Sequence, residues 1–247
     1  SSDVCSSDLN PVAIDGPIIT IRKFYNTPLS MEKMIEISHV SKSFQTYRAL
    51  DDISLDIEKG KIYGIIGRNG SGKTVLFKCI CGFLKTDSGE IKVDGKIIGK
   101  EIEAPQNAGI IIENPGFLSA YSGYQNLKFL ADINKKIGKQ EIRDVLEKVG
   151  LDPTMKKPVG KYSLGMRQRL GIAQAIMENP SLLILDEPMN GLDYQGVKDV
   201  RKILLDLKEE GKTILLASHN REDIAFLCDE TVHIDHGKLV EREAYEV

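Results

Sequence analysis

The stretch Gly67 to Thr74 reads GRNGSGKT and follows the pattern G-x-x-x-x-G-K-[ST] of a phosphate-binding loop. Glycines in such a loop let consecutive backbone N–H groups curl around phosphate oxygens. Lys73 can reach the terminal phosphates, and the hydroxyl of Thr74 can hold Mg²⁺. The stretch predicts a nucleotide phosphate site, with an ordinary glycine-rich turn as the alternative.

The residues on either side of the loop supply the context that it needs. KIYGII (61–66) is a nearly continuous apolar run, which is typical of a strand inside a parallel sheet. VLFKCICGFL (75–84) predicts a helix, whose N-terminus would favour anions. We expect these residues to bind the nucleotide: Gly67, Asn69, Gly70, Ser71, Gly72, Lys73, Thr74 and Val75.

A second apolar strand carries acids to the edge of the sheet. LLIL (182–185) is followed by Asp186 and Glu187. Asp186 is placed to support the metal ion, and Glu187 to orient or deprotonate an attacking water molecule. Apolar strands that end in acids are common, so this pattern alone is weak evidence for a catalytic site. Together with the phosphate loop upstream it becomes strong evidence.

Periodicity along the chain predicts an α/β fold with a mostly parallel core sheet. MIEISHV (34–40) and ISLDI (53–57) alternate apolar and polar residues, which indicates an N-terminal antiparallel β subdomain. Asp94-Gly95 lies between two short apolar runs and predicts a hairpin. A mostly helical insert is expected over about 114–165. Further helices and a strand are predicted at KQEIRDVLEKVGL (139–151), SLGMRQRLGIAQAIMENP (163–180), VKDVRKILLDLKEEG (197–211) and TILLASH (213–219).

Composition excludes several classes of function. The 247 residues carry a net charge of −3, so no global basic field points to nucleic acid or anionic lipid. The four cysteines show no CxxC pair, which favours a reduced, cytosolic protein, and Cys79 and Cys81 are expected to be small buried residues. The longest apolar runs fall far short of the ~20 residues that span a bilayer, so we expect no membrane crossing.

Residues 1–30 do not look like the rest of the chain. They lack both the pattern of a secretory signal and the periodicity of a folded element. The segment DVCSSDL (3–9) resembles the translation of a common sequencing-library adapter. We expect a non-native or disordered leader over 1–30, with 1–9 an artefact and translation beginning at Met31 or Met34, followed by one domain over 31–247.

Four further elements accompany the two phosphate motifs: SKSF (41–44), YSLGMRQR (162–169), NGLD (190–193) and SH (218–219). With them the chain resembles the ATP-binding subunit of an ABC transporter over most of residues 34–242. The family's signature, L-S-G-G-Q-x-Q-R, is matched at Ser163, Gly165, Gln168 and Arg169. The chain departs from the signature at Leu164, in place of the first glycine, and at Met166, in place of the glutamine.

The resemblance implies a P-loop NTPase of ABC type that hydrolyses ATP with Mg²⁺. It also implies a sandwich dimer, in which Ser163 and Gly165 contact the γ-phosphate bound by the opposite subunit and Asp193 belongs to the D-loop. A separate transmembrane permease would be the partner. The chain would then be cytoplasmic and peripheral at the inner face of the cell membrane.

Two more roles follow from the resemblance. His219 would sense the γ-phosphate, although a lone histidine at a strand end is often only a hydrogen-bonding residue. Phe44 would stack on adenine, although Tyr47 is close enough to compete and either ring could belong to the core.

The segment GIIIENPGF (109–117) predicts a short strand buried on both faces that stops abruptly, with Glu113 at its end. In the family this position usually holds a glutamine that contacts Mg²⁺ and the attacking water. A carboxylate is a harder ligand for Mg²⁺, but it also brings negative charge beside the γ-phosphate. Our hypothesis is that Glu113 keeps the metal-sensing role.

The motifs IENP (112–115) and SLGMRQRLGIAQA (163–175) resemble those of ATPases for bacitracin- and lantibiotic-type peptide export and self-protection. The expected function is therefore to power export of a peptide antibiotic, drug or lipid-like substrate. The alternatives are the ATPase of an importer, a non-transport ABC ATPase, and an unrelated phosphate-loop GTPase or kinase. Phe117, Tyr121 and Tyr124 either receive a helix of the permease or pack the insert's own core.

Overall fold

The computed structural model describes residues 32–113 and 116–244, so the expectations for residues 1–30 lie outside the described residues. In chain order the strands are β1 (Lys33–Phe44), β2 (Tyr47–Glu58), β3 (Ile62–Ile66), β4 (Ser88–Val93), β5 (Lys96–Ile97), β6 (Ala108–Ile111), β7 (Leu182–Asp186), β8 (Thr213–Ala217), β9 (Glu230–Asp235) and β10 (Lys238–Ala244). The α-helices are α1 (Lys73–Ile80), α2 (Gly123–Asn134), α3 (Lys139–Lys148), α4 (Leu164–Ile176), α5 (Tyr194–Glu209) and α6 (Arg221–Leu227), with a 3₁₀ turn at Val159–Lys161.

The central sheet has six strands in the order β10-β9-β3-β8-β7-β6. Its inner pairs are parallel, and only β9 and β10 run antiparallel. The carboxyl ends of β3, β6, β7 and β8 therefore meet at one edge of the sheet, where ligands bind in open α/β folds. The predicted α/β architecture with a mostly parallel core is confirmed.

A second, four-stranded antiparallel sheet has the order β2-β1-β4-β5. The alternating runs of 34–40 and 53–57 form its β1 and β2, as predicted. The predicted hairpin joins β4 to β5, and both turn residues, Asp94 and Gly95, adopt positive φ as a tight hairpin turn requires.

The strand before Glu113 differs from the prediction. β6 ends at Ile111, and its residues alternate between buried and half-buried instead of being buried on both faces. The physical reason is its position, because β6 is the edge strand of the central sheet and has a neighbour on one side only. An apolar run alone cannot distinguish an edge strand from an inner one.

Helix α4 begins after a capping residue but ends at Ile176, before the predicted stop at Pro180, and α1 ends at Ile80 where the prediction ran to Leu84. Ser163 is the N-cap of α4, where its hydroxyl accepts a hydrogen bond from the Met166 amide at 3.2 Å. α2 and α3 lie between residues 114 and 165, and their apolar faces pack into one hydrophobic core with β6, β7 and α4. The boundaries of the helical insert stay a prediction.

The cysteines Cys79 and Cys81 are buried and free, as expected for small core residues. Burial raises the pKa of the Cys79 thiol to about 11 and that of Cys81 to about 12, so neither is a reactive thiolate. Among the described helices, none is both long enough and apolar enough to cross a membrane.

Candidate active site

The phosphate loop connects β3 to α1, and two of its glycines have no room for a side chain. Gly72 has φ of +113°, and a Cβ atom there would lie 2.5 Å from the carbonyl oxygen of Ala49. A Cβ atom on Gly67 would lie 2.3 Å from the carbonyl oxygen of Ile234. The backbone is therefore shaped as a cradle that larger residues would distort.

Polar groups converge on this cradle. The Lys73 ammonium group donates hydrogen bonds to the carbonyls of Gly67 at 2.6 Å and Arg68 at 3.1 Å, so it curls over the loop. The first turn of α1 leaves N–H groups without helical partners, and its Gly72 N-cap has no capping side chain. The buried hydroxyl of Ser71 has no partner among the described residues. These free donors fit phosphate oxygens.

Two of the three residues predicted to hold the metal, Thr74 and Asp186, are in direct contact. Oγ1 of Thr74 donates to Oδ2 of Asp186 at 2.7 Å, which joins the start of α1 to the end of β7. A hydroxyl and a carboxylate fit Mg²⁺, which is usually bound by one or two carboxylates together with phosphate oxygens and water. Among the described residues no cluster of three His, Cys, Asp or Glu side chains could hold a metal by itself.

Glu187 follows β7 with φ of +51°. Nδ1 of His219, just beyond β8, donates to its Oε2 at 2.8 Å, because a carboxylate oxygen can only accept. Behind it, the buried Gln168 of α4 donates through Nε2 to the carbonyls of Pro188 at 2.8 Å and Glu187 at 3.3 Å. The Glu187 carboxylate is thus held by a histidine, and the backbone that carries it is held by the Gln168 amide.

Lys73, Thr74, Asp186 and Glu187 line one cavity of about 360 Å³ at the carboxyl edge of the sheet, whereas Gly67, Ser71 and His219 are not in its wall. Its wall includes Tyr47 but not Phe44. The Tyr47 hydroxyl donates to the carbonyl oxygen of Gly70 at 2.7 Å, and the two aromatic residues face each other across the β1–β2 pairing. The complete lining is Tyr47, Ala49, Asn69, Gly70, Gly72, Lys73, Thr74, Val75, Asp186 and Glu187.

The signature residues line a different cavity, of about 550 Å³. Ser163, Gly165 and Asp193 lie in its wall, and the two cavities share no lining residue. Asp193 caps α5 by accepting the Gly196 amide at 2.8 Å. Leu164, which departs from the signature, is exposed in this wall.

We call the cavity of about 360 Å³ beside the phosphate loop the phosphate cavity. Glu113 is not in its wall. It lies beyond β6 with φ of +59°, and its Oε1 accepts a hydrogen bond from the Lys78 ammonium group at 2.6 Å. Lys78 belongs to α1, one helical turn beyond Thr74. The structure therefore brings Glu113 to the helix that carries Thr74, but its contact there is with Lys78.

Sequence reasoning missed the contacts of Gln168 and Lys78, whereas it named Tyr47 as the competitor of Phe44. Lys78 had a detectable signal, because it follows Thr74 by four residues on the predicted helix and so shares its face. The bonds of Gln168 to the residues after β7 have no such signal, since they cross between elements 20 residues apart.

Comparison with known proteins agrees with this geometry. Residues 50–190 match the family described as "ABC transporter". The chain is 44% identical over 206 residues to the uncharacterized ABC transporter ATP-binding protein YybJ of Bacillus subtilis, covering 83% of this chain and 94% of that protein.

Two further relatives have named transport roles. The bacitracin transport ATP-binding protein BcrA of Bacillus licheniformis is 40% identical, over 87% of this chain and 71% of its own. The lantibiotic transport ATP-binding protein SrtF of Streptococcus pyogenes is 37% identical, over 86% of this chain and 92% of its own.

Solved structures share the fold. The ATP-binding cassette MJ0796 bound to ADP and Pi, a dimeric post-hydrolysis state, superposes with a TM-score of 0.78 at 20% identity, covering 85% of this chain and 98% of that chain. CbiO1 from Clostridium perfringens, part of the ABC transporter complex cbiONQ, superposes with a TM-score of 0.73 at 31% identity, covering 86% of this chain and 88% of that chain.

Proposed function

The chain belongs to the ABC transporter family as an ATP-binding, ATP-hydrolysing subunit, and from this premise we propose that it powers a separate membrane permease that exports a peptide antibiotic. The observation that carries the export proposal is the similarity, at 40% and 37% identity, to bacitracin and lantibiotic transport ATP-binding proteins. Subunits of this family work with transmembrane permeases. The proposal puts the chain on the cytoplasmic side, peripheral at the inner face of the membrane.

The geometry supports a separate role for each group of residues in and beside the phosphate cavity. Lys73 and the free N–H groups of the loop would bind the β- and γ-phosphates of ATP. Thr74 and Asp186 would hold Mg²⁺, which offsets phosphate charge when bound. Glu187 would accept a proton from, or orient, the attacking water, and His219 would hold that carboxylate and reach the γ-phosphate.

The two separate cavities support a dimeric proposal. Ser163, Gly165 and Asp193 line a cavity apart from the phosphate loop. Each chain would then carry two half-sites that belong to different ATP sites of the dimer. In a head-to-tail pair the signature cavity of one subunit would cover the phosphate cavity of the other. Ser163 lies at the N-terminus of α4, where an anion is favoured.

An exposed apolar patch on the helical insert supports a membrane partner. Tyr121 and Phe129 pack edge to face with ring centroids 5.0 Å apart, and both remain about 40% exposed. Leu118 and Ile133 are also exposed. Phe117 and Tyr124, by contrast, pack against the core, so of the three aromatics in this segment Tyr121 is the one available to a permease.

The experiment is to identify a permease gene beside the gene of this chain and to produce the two proteins together in a sensitive bacterium. We expect copurification of the two proteins and raised resistance to a bacitracin- or lantibiotic-type peptide. A matched strain with Glu187→Gln should keep the complex but lose resistance. Resistance that is unchanged with both forms would contradict the export proposal and leave the ATPase assignment intact.

A further inference from the structure

We propose that Lys78 is a positioning residue that holds Glu113 in an ion pair and releases it when nucleotide and metal bind. This inference rests on the proposed role of Glu113 at the metal. Glu113 would exchange one cationic partner, the Lys78 ammonium group, for the bound metal ion.

The contact between the two side chains is short but accessible. Nζ of Lys78 and Oε1 of Glu113 are 2.6 Å apart, and 63% of the Glu113 side chain is exposed against 28% for Lys78. Exposed ion pairs contribute little to stability, because water competes for both charges. The pair can therefore form and break at small cost, as an exchange requires.

Helix α1 places the lysine that holds Glu113 beside the residue that would hold the metal ion. Thr74 and Lys78 are four residues apart in α1, so their side chains lie on one face with Cβ atoms about 6 Å apart. Thr74 is already hydrogen-bonded to Asp186. The residue that holds the Glu113 carboxylate is thus one helical turn along α1 from the residue that would hold a metal. A change of side-chain rotamers is the movement that the exchange requires.

The sheet sets Glu113 level with the catalytic carboxylate. β6 and β7 pair in parallel with Ile111 opposite Leu185, so Glu113 and Glu187 each lie two residues beyond a paired position. Neighbouring strands are about 4.8 Å apart. A second unpaired negative charge at this level would repel the γ-phosphate. Lys78 offsets that charge, which a glutamine at the same position would not need.

A glutamate at this position can bind the metal ion but also repels the γ-phosphate, and the ion pair reduces that repulsion. Without a counter-ion, the carboxylate would oppose nucleotide binding before it could contribute to the metal site. With Lys78, the pair is neutral while ATP approaches, and the carboxylate becomes available as an oxygen ligand afterwards.

The test measures metal affinity directly. Mn²⁺ binding is followed by electron paramagnetic resonance at saturating ATP, in full-length Glu187→Gln protein so that ATP is not consumed. Into this background we introduce Lys78→Met, Lys78→Arg, Glu113→Gln, and Lys78→Met with Glu113→Gln. Lys33→Met is the control, because Lys33 forms a partly exposed ion pair with Asp56 at 2.8 Å on the antiparallel sheet, outside the wall of the phosphate cavity.

We expect Glu113→Gln to weaken Mn²⁺ binding and Lys78→Met to tighten it about threefold to fivefold, the range that an exposed ion pair can contribute. The tightening should vanish when Glu113 is glutamine. Lys78→Arg should match the parent, because it restores the cation, and so should Lys33→Met.

Two results would overturn the inference in distinguishable ways. If Glu113→Gln leaves Mn²⁺ affinity unchanged, both the metal role of Glu113 and the role of Lys78 are wrong. If Glu113→Gln weakens binding but Lys78→Met has no effect, or has the same effect in both backgrounds, only the role of Lys78 is wrong. An equal effect of Lys78→Met in both backgrounds would show that Lys78 acts through its long-range charge alone.

Discussion

Glu187 after β7 and Glu113 after β6 occupy equivalent positions on neighbouring parallel strands, and both have positive φ, +51° and +59°. Their surroundings differ. Glu187 is hydrogen-bonded to His219, its backbone is braced by Gln168, and its side chain is 27% exposed. Glu113 is bonded to a lysine, and its side chain is 63% exposed.

The comparison shows that neighbours, more than backbone position, decide what a strand-end carboxylate can do. The Glu187 carboxylate is bonded to His219 and stands on a backbone that Gln168 fixes, which favours one orientation and suits the alignment of a water molecule for attack. A carboxylate held by one exposed ion pair can change partner. The predictions below test this difference, beginning with the largest expected effect.

Replacing Glu187 by Gln should abolish most turnover while ATP binding is retained. The amide has nearly the same shape but cannot accept a proton, and a general base contributes about 10²-fold to 10⁴-fold to a rate. Phosphate release should therefore fall at least about a hundredfold, measured beside ATP affinity by filter binding. We also expect an ATP-dependent dimer in size-exclusion chromatography. Turnover at the parental rate would refute the assignment of Glu187.

Replacing His219 by Ala removes the group that holds the Glu187 carboxylate. We expect phosphate release to fall about tenfold or more, because the base loses its orientation and the γ-phosphate loses a contact. The matched control is His236→Ala, since His236 is exposed outside the phosphate cavity and should keep the parental rate. Equal losses in both variants would contradict the proposed role.

Replacing Gln168 by Leu removes the brace beneath Glu187. Two carbonyl oxygens lose a buried donor, so the free energy of unfolding should fall by about 1–3 kcal/mol. Below the unfolding transition we expect ATP turnover to fall about fivefold, because the Glu187 backbone is less well held. Urea unfolding and phosphate release measure the two effects.

The control for this variant is Gln140→Leu, which removes an exposed hydrogen bond to Asp144 on α3. Its unfolding free energy should change by less than about 0.5 kcal/mol and its turnover should stay at the parental value. A Gln168→Leu protein of normal stability and activity would show that the brace is unimportant.

Replacing Glu113 by Gln should have the smallest effect of the four. The change is chemically the same as Glu187→Gln at the equivalent position of the next strand, so the two variants form a matched pair. We expect turnover within about threefold of the parent at saturating Mg²⁺, with a higher Mg²⁺ concentration needed for half-maximal rate, because the amide is a weaker ligand. Loss of turnover as large as in Glu187→Gln would erase the contrast between the two strand ends.

Much of this site could be predicted because its parts are local. The phosphate loop is a contiguous pattern, the N-cap Ser163 directly precedes the helix that it starts, and Asp186 with Glu187 directly follows an apolar run. In each case the physical constraint acts between residues close in the chain, so it leaves a pattern that can be read without coordinates.

The partners of the two glutamates could not be predicted in this way. His219 lies 32 residues from Glu187, and Lys78 lies 35 residues from Glu113. Each contact depends on which strands are neighbours and in which register they pair. The edge position of β6 is another such feature, since its apolar run is compatible with an inner strand as well.

The sequence by itself determined that a phosphate site exists, which helix it opens, and that acids end two of the strands beside it. Only the tertiary structure decided that one acid pairs with a histidine and the other with a lysine. The reason is that hydrogen bonds and ion pairs between side chains act over about 3 Å. Strand order and register, set by packing of the whole core, determine which residues come that close.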